Sequence, residues 1–168
     1  QKERTGFLGV DLAPQKDGVK IVRVVPNSPA DKENSKLMAG DVITSIDGEK
    51  VNATDNFYAP LINKAGDKVI LEVKSAAGAS KEVVIRPTNS LRTLLYDEWV
   101  ESRRALVDTY SNGQLGYLHI RGMNWSSFEE FERELTASGQ GKKGLVIDVR
   151  YNGGGWTTDY LMAVLNVR

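Results

Sequence analysis

Cysteine is absent from the 168 residues and histidine occurs once. The first absence excludes disulfides and thiolate chemistry, and the two together leave no donor set for a structural zinc site. No metal and no cofactor is expected. Lys and Arg balance Asp and Glu at 22 each, so nothing points to nucleic acid or an anionic membrane as partner. No apolar run approaches the length that crosses a bilayer. A starting methionine and a signal-like segment are also missing: the chain opens at Gln1 and stops at Arg168, inside helix-like sequence. Both ends read as cuts from a longer protein, with any targeting signal lost upstream. What is present is ordinary globular composition, 40% hydrophobic and 26% charged, enough for one large domain or two small ones.

Residues 5–87 read as one β-rich unit. Strand-like runs are Phe7–Leu12, Val19–Val25, Asp41–Ile46, Val69–Lys74 and Lys81–Ile85, with turn signals such as Asp47-Gly48 and Ala77-Gly78 between them. A short helix is expected around Pro29–Asn34 and a second around Thr54–Lys64. Residues 88–113 connect to the rest through a helix over 91–110. On it Leu91, Leu94, Leu95, Trp99, Leu106 and Tyr110 form a broad apolar face, expected to pack on the protein's own core.

Residues 114–168 alternate strand, helix, strand, helix: Leu115–Ile120, Phe128–Ala137, Leu145–Val149 and Thr158–Val167. That βαβα order implies parallel pairing. Ser127 with Glu130 has the spacing of a capping box for the first helix, and Thr157 or Thr158 is available to cap the second. Between strand and helix lies Gly144-Leu-Val-Ile-Asp-Val-Arg-Tyr-Asn-Gly-Gly-Gly-Trp156. A glycine turn there offers bare backbone N–H groups to negative charge, either a phosphate or the oxyanion of a cleaved peptide bond. Phosphate is the weaker reading, because the lysine and spacing of a P-loop are missing. Taken alone, the segment is equally a tight turn that needs glycine.

Two resemblances give these segments meaning. Gly6-Phe-Leu-Gly-Val10, Val24-Val-Pro-Asn-Ser-Pro-Ala30 and Met38-Ala-Gly-Asp-Val-Ile-Thr-Ser-Ile-Asp-Gly48 resemble a PDZ domain of the bacterial protease type. Gly116-Tyr-Leu-His-Ile120 followed by the Asp-Val-Arg-Tyr-Asn-Gly-Gly-Gly run is similar to the start of the catalytic core of tail-specific and tricorn-type serine peptidases. The implied fold is an α+β PDZ-like domain of five or six short strands and two helices, a connecting helix, and a partial α/β (βαβα) peptidase core.

The resemblance implies function as well. A PDZ-like unit binds an extended peptide by strand addition and a free C-terminal carboxylate by converging N–H groups. Phe7, Leu8, Gly9, Val10 and Leu12, with Phe57 and Leu61 from the facing helix, would form that site. Pro60 lies inside the expected groove helix and removes a backbone donor, which leaves the width of the groove and the facing of Phe57 open. Gly153, Gly154 and Gly155 would supply the oxyanion-hole backbone, without a decision among the three. No serine follows Trp156, so nucleophile and base are expected outside the chain, which by itself should be inactive. His119 is assigned a packing role. Asp148 and Arg150 either orient the glycine turn or pair with each other. The implied partner is a peptide or protein C-terminus as substrate, with room for homo-oligomer formation in the full-length parent. The setting leans to bacterial, with the compartment left open between periplasmic or secreted, which is favoured, and cytoplasmic. The alternative is a non-catalytic peptide-binding scaffold with a degenerate peptidase core.

Overall fold

The computed structural model describes residues 3–166, which form two compact units divided between Glu98 and Trp99. The last residue of the expected terminal helix, Val167, lies outside the described residues.

In the first unit, β1 (Val10–Gln15), β2 (Gly18–Val24), β3 (Val42–Ile46), β5 (Val69–Lys74) and β6 (Ser80–Ile85) form an antiparallel sheet in the order β1-β2-β3-β5-β6. The two-residue β4 (Glu49–Lys50) hangs on β3. Alternation decides the faces: on β5, Val69, Leu71 and Val73 are buried while Glu72 and Lys74 point outward. Ile21, Ile43, Ile46 and Leu71 are fully buried and centre the core. The Gly-Asp signature has a local reason. Asp41 is buried and its Oδ2 accepts from Met38 N at 3.1 Å, closing the turn into β3. At the other end Asp47 Oδ1 accepts from Ile70 N at 2.8 Å and ties the exit turn to β5.

Two expectations are corrected here. The strand expected over Phe7–Leu12 breaks at Gly9, which adopts φ +85°, so Phe7 bridges Thr88 while β1 starts at Val10 and runs on to Gln15. Pro14 is tolerated because β1 is an edge strand. The helix expected over Thr54–Lys64 is a single 3-10 turn, Ala59–Leu61, with Pro60 in its first turn. Proline disfavours helical geometry at the residue before it and supplies no N–H. Asn side chains also take over the turns, Asn52 Nδ2 bonding Asp55 and Asn56 Oδ1 accepting from Tyr58 N. The expected short helix around Pro29–Asn34 is present as two 3-10 turns, Pro29–Asp31 and Glu33–Ser35.

The helix α1 (Arg92–Tyr110) carries the unit boundary, and none of its residues is fully buried. The apolar face read from sequence is therefore corrected: Leu95, Leu106 and Tyr110 are exposed. In the second unit its half-buried row is Trp99, Val100, Arg103, Arg104 and Val107. Arg104 turns inward because Glu134 meets its Nη2 at 2.7 Å.

The rest of the second unit holds β7 (Leu115–His119), α2 (Trp125–Gly139), β8 (Gly144–Asp148) and α3 (Thr158–Leu165). β7 and β8 pair in parallel, Leu115 opposite Gly144 through His119 opposite Asp148, as the βαβα order implied. Leu118, Ile120, Phe128, Phe131 and Leu161 make a small core. The expected Ser127–Glu130 capping box is not the cap of α2. Asn124, in extended geometry, accepts from Ser127 N at 3.0 Å and starts the helix earlier.

Candidate functional site

In the first unit, the Gly6–Val10 segment enters β1 as a buried loop. Gly6 N and Phe7 N donate to Leu61 O and Thr88 O. No acceptor among the described residues takes the N–H of Leu8 or Gly9, although both residues are buried. Converging N–H groups without partners invite an anion such as a carboxylate. Glycine is needed at position 9, since a Cβ there would sit 2.1 Å from Ser28 Cβ. β1 is paired on one side only, by β2, which leaves its other edge for an added strand.

The side chains assigned to the first pocket divide. Leu8, Val10, Phe57 and Leu61 belong to the core cluster, with Leu61 fully buried. Phe57 and Leu61 do not share a helix face, because the helix is absent. Phe7 and Leu12 keep partial exposure. Tyr58, not singled out from sequence, stands with them: its ring lies 5.9 Å from that of Phe7 and it is 37% exposed. Burial, and then the Asp11 carboxylate, push its hydroxyl pKa up. The available signal was two adjacent aromatics just ahead of Pro60.

In the second unit, the glycine turn leaves β8 and is held on three sides. Asp148, buried at its base, accepts from Arg150 N at 3.0 Å, from Arg150 Nε at 2.9 and 3.0 Å, and from Tyr117 Oη at 2.8 Å. These bonds, Arg150's side chain foremost, hold the Asp148 carboxyl well below the usual carboxylate range against the opposing effect of burial. Burial and the Asp148 acceptor push Tyr117 up to about 12. The Arg150 guanidinium lies 5.3 Å from the Trp99 ring centre. Asp148 and Arg150 thus do both things expected of them: they pair with each other and anchor the turn.

His119 ends β7 with its Nε2 2.8 Å from Arg150 O and its ring edge-on to Trp99 at 5.0 Å. A carbonyl only accepts, so Nε2 carries the proton. Asn152 donates from Nδ2 to Ile120 O at 2.9 Å and accepts at Oδ1 from Gly154 N at 2.8 Å. Tyr151 sits in the left-handed region at φ +62°. A Cβ at Gly155 would lie 2.3 Å from Met123 O, whereas Gly153 and Gly154 face open space. Of the two cap expectations, Thr157 holds the N-cap position without a side-chain bond, and Thr158 Oγ1 bonds Gly155 O at 3.1 Å. Among the described residues no cluster of three metal-ligating side chains forms, and no helix is long and apolar enough to cross a membrane.

Two family models match separate parts of the chain. Residues 6–83 match the PDZ domain family and residues 114–167 match peptidase family S41. A tricorn protease homolog of Saccharolobus solfataricus is 43% identical over 138 residues, 82% of this chain and 12% of the relative. Tricorn protease homolog 1 of Streptomyces coelicolor is 34% identical over 172 residues, 96% of this chain and 16% of that protein. The crystal structure of the tricorn protease superposes with a TM-score of 0.85 and 29% identity over 98% of this chain and 17% of that one. The chain therefore spans less than a fifth of each of these proteins. The relatives come from an archaeon as well as a bacterium, so the expected bacterial setting is too narrow for the group. The order of β strands around a Gly-Asp turn, then a parallel βαβ unit ending in three glycines, has the same reading in structure and in comparison: the chain belongs to the PDZ-containing peptidases of family S41, among the relatives of the tricorn proteases.

Proposed function

We propose that the full-length protein is a serine-type peptidase that takes an extended peptide or protein C-terminus on its first unit and hydrolyses peptide bonds beside the glycine turn of its second. The observation that carries this reading is the turn itself. It stands at the C-terminal end of a parallel strand, is anchored by Asp148, Arg150 and Asn152, and leaves the Gly153 N–H without an acceptor among the described residues. When a serine attacks a peptide carbonyl, negative charge gathers on the carbonyl oxygen, and fixed N–H donors lower that barrier most. The nucleophile and base of the proposed reaction are not in this chain. His119 is committed to Arg150 O and Trp99, and no serine follows Trp156.

The Leu8 and Gly9 N–H groups support carboxylate recognition, and the open edge of β1 supports strand addition. The apolar selectivity of the groove is proposed to come from Phe7, Leu12 and Tyr58. Leu8, Val10, Phe57 and Leu61 shape it from beneath as core.

Two measurements test the reading. Calorimetric titration compares a short peptide ending in Leu-Ala-Ala with its C-terminally amidated twin. Binding lost on amidation supports carboxylate capture, equal binding means strand addition without end recognition, and no binding to either removes substrate capture from the first unit. Labelling of the full-length protein by a fluorophosphonate tests for an activated serine. No labelling and no cleavage would sink the peptidase reading and favour the non-catalytic scaffold.

A further inference from the structure

We propose that Asn152 is a positioning residue for the oxyanion turn, and that its grip on Gly154, with Gly155 paired to Met123, leaves the oxyanion donor to Gly153. This rests on the peptidase reading above. The carboxamide uses both of its ends. Oδ1 takes the Gly154 N–H at 2.8 Å, and Nδ2 pins the turn to Ile120 O, beyond the end of β7, at 2.9 Å. A carboxylate offers only acceptors and a hydroxyl puts donor and acceptor on one oxygen, so at this reach asparagine alone presents the two on separate atoms.

The turn needs such a clasp. Tyr151, the residue before Asn152, holds φ +62°, a conformation that costs energy for a bulky side chain and persists only where neighbours enforce it. On the far side Gly155 lies against the Met123 backbone, where a Cβ would come within 2.3 Å of the carbonyl oxygen. Asn152 and Gly155 therefore fix the two ends of the glycine run. Between them the Gly154 N–H has its acceptor and Gly155 pairs with Met123 in a parallel bridge, while no acceptor among the described residues takes the N–H of Gly153. A substrate oxygen competing for Gly154 would first have to break the clasp; at Gly153 it would not.

The test has two arms. In this chain, amide hydrogen exchange followed by NMR is expected to show Gly154 protected. Asn152→Ala should speed its exchange by at least ~10-fold, while Leu118 and Phe128 keep their protection. Equal exchange of Gly154 in both proteins would overturn the clasp. In the full-length protein, Asn152→Ala is expected to lower kcat by roughly 10- to 100-fold with KM changed less than about twofold. It should weaken a peptide boronate, which mimics the tetrahedral oxygen, in step with kcat, and leave binding of a product peptide unchanged. Asn152→Ser, which can still accept from the Gly154 N–H, should recover part of the loss. Unchanged kcat and boronate affinity in a folded Asn152→Ala protein would overturn the positioning role. An unaltered full-length protein that cleaves nothing would overturn the peptidase reading and the positioning role with it, while the exchange arm still judges the hydrogen bonds.

Discussion

The two units hold their functional loops by opposite means. In the first, sixteen buried residues of one core cluster close around an antiparallel sheet, and the loop at Leu8–Val10 is made of that core. In the second, the core cluster numbers five buried residues, and the glycine turn is held by hydrogen bonds from Asp148, Arg150, Tyr117, His119 and Asn152. Apolar packing is non-directional and tolerates small adjustments of shape. Polar clasps fix individual atoms, which is what a turn presenting particular N–H groups requires. The peptide-binding loop is thus a property of burial, and the oxyanion turn a property of geometry.

Core truncation should break the first half of this comparison with the largest effect. Ile43→Ala removes a fully buried side chain from the centre of the sheet and is expected to cost about 2–5 kcal/mol in urea unfolding. The Gly153–Gly155 amide resonances of the second unit should move little. A large response there would mean that the turn depends on the core of the first unit.

Tyr117→Phe sharpens the second half. It deletes the bond to the Asp148 carboxylate and should cost about 1.5–3 kcal/mol, as expected for a hydrogen bond to a charged group. The same unfolding experiment reads it, and a loss under ~0.5 kcal/mol would place the anchoring in Arg150 alone.

A pair of alanines separates space from shape within the turn. Gly155→Ala forces a Cβ against the Met123 carbonyl and should destabilise by roughly 1–3 kcal/mol, whereas Gly153→Ala meets open space and should fall within about 0.5 kcal/mol of the unaltered chain. Equal effects would show that the Met123 contact does not shape the turn.

The smallest effect expected is in acid. Asp148's folded pKa lies below its unfolded value, so its contribution is complete above the ordinary carboxylate range near pH 4 and is lost as pH falls toward the folded value. Asp148→Asn should flatten the fall of stability below about pH 4 by up to about one proton per molecule. Tyr117 works at the other extreme: its raised pKa keeps its contribution whole below pH ~10 and loses it as pH rises through about 12. An unchanged acid slope in Asp148→Asn would show that other carboxyls carry it.

How much was legible beforehand follows the same divide. Val69–Lys74 was read at its observed bounds, because period-2 alternation is written in adjacent residues. The Gly-Asp and Asp-Gly turns were readable for a similar reason, the N–H donors to their aspartates lying close in the chain or on the paired strand. The apolar spacing over Thr54–Lys64 predicts a groove helix that does not form, because one proline and the asparagine turns around it outweigh that spacing. Leu95, Leu106 and Tyr110 were read as a buried face, yet Arg104 claimed the inward side through Glu134, thirty residues away. The Ser127–Glu130 spacing concealed the better cap at Asn124.

Local chemistry settled the pattern of strands, the turn residues and the three glycines between strand and helix, since each depends on neighbours along the chain. That Asn152 ties the turn to Ile120, that Tyr58 stands beside Phe7, and that Asp148 binds Tyr117 were matters for the folded chain. Hydrogen bonds and ring contacts act over a few ångströms, and only folding brings residues about thirty or fifty positions apart within that range.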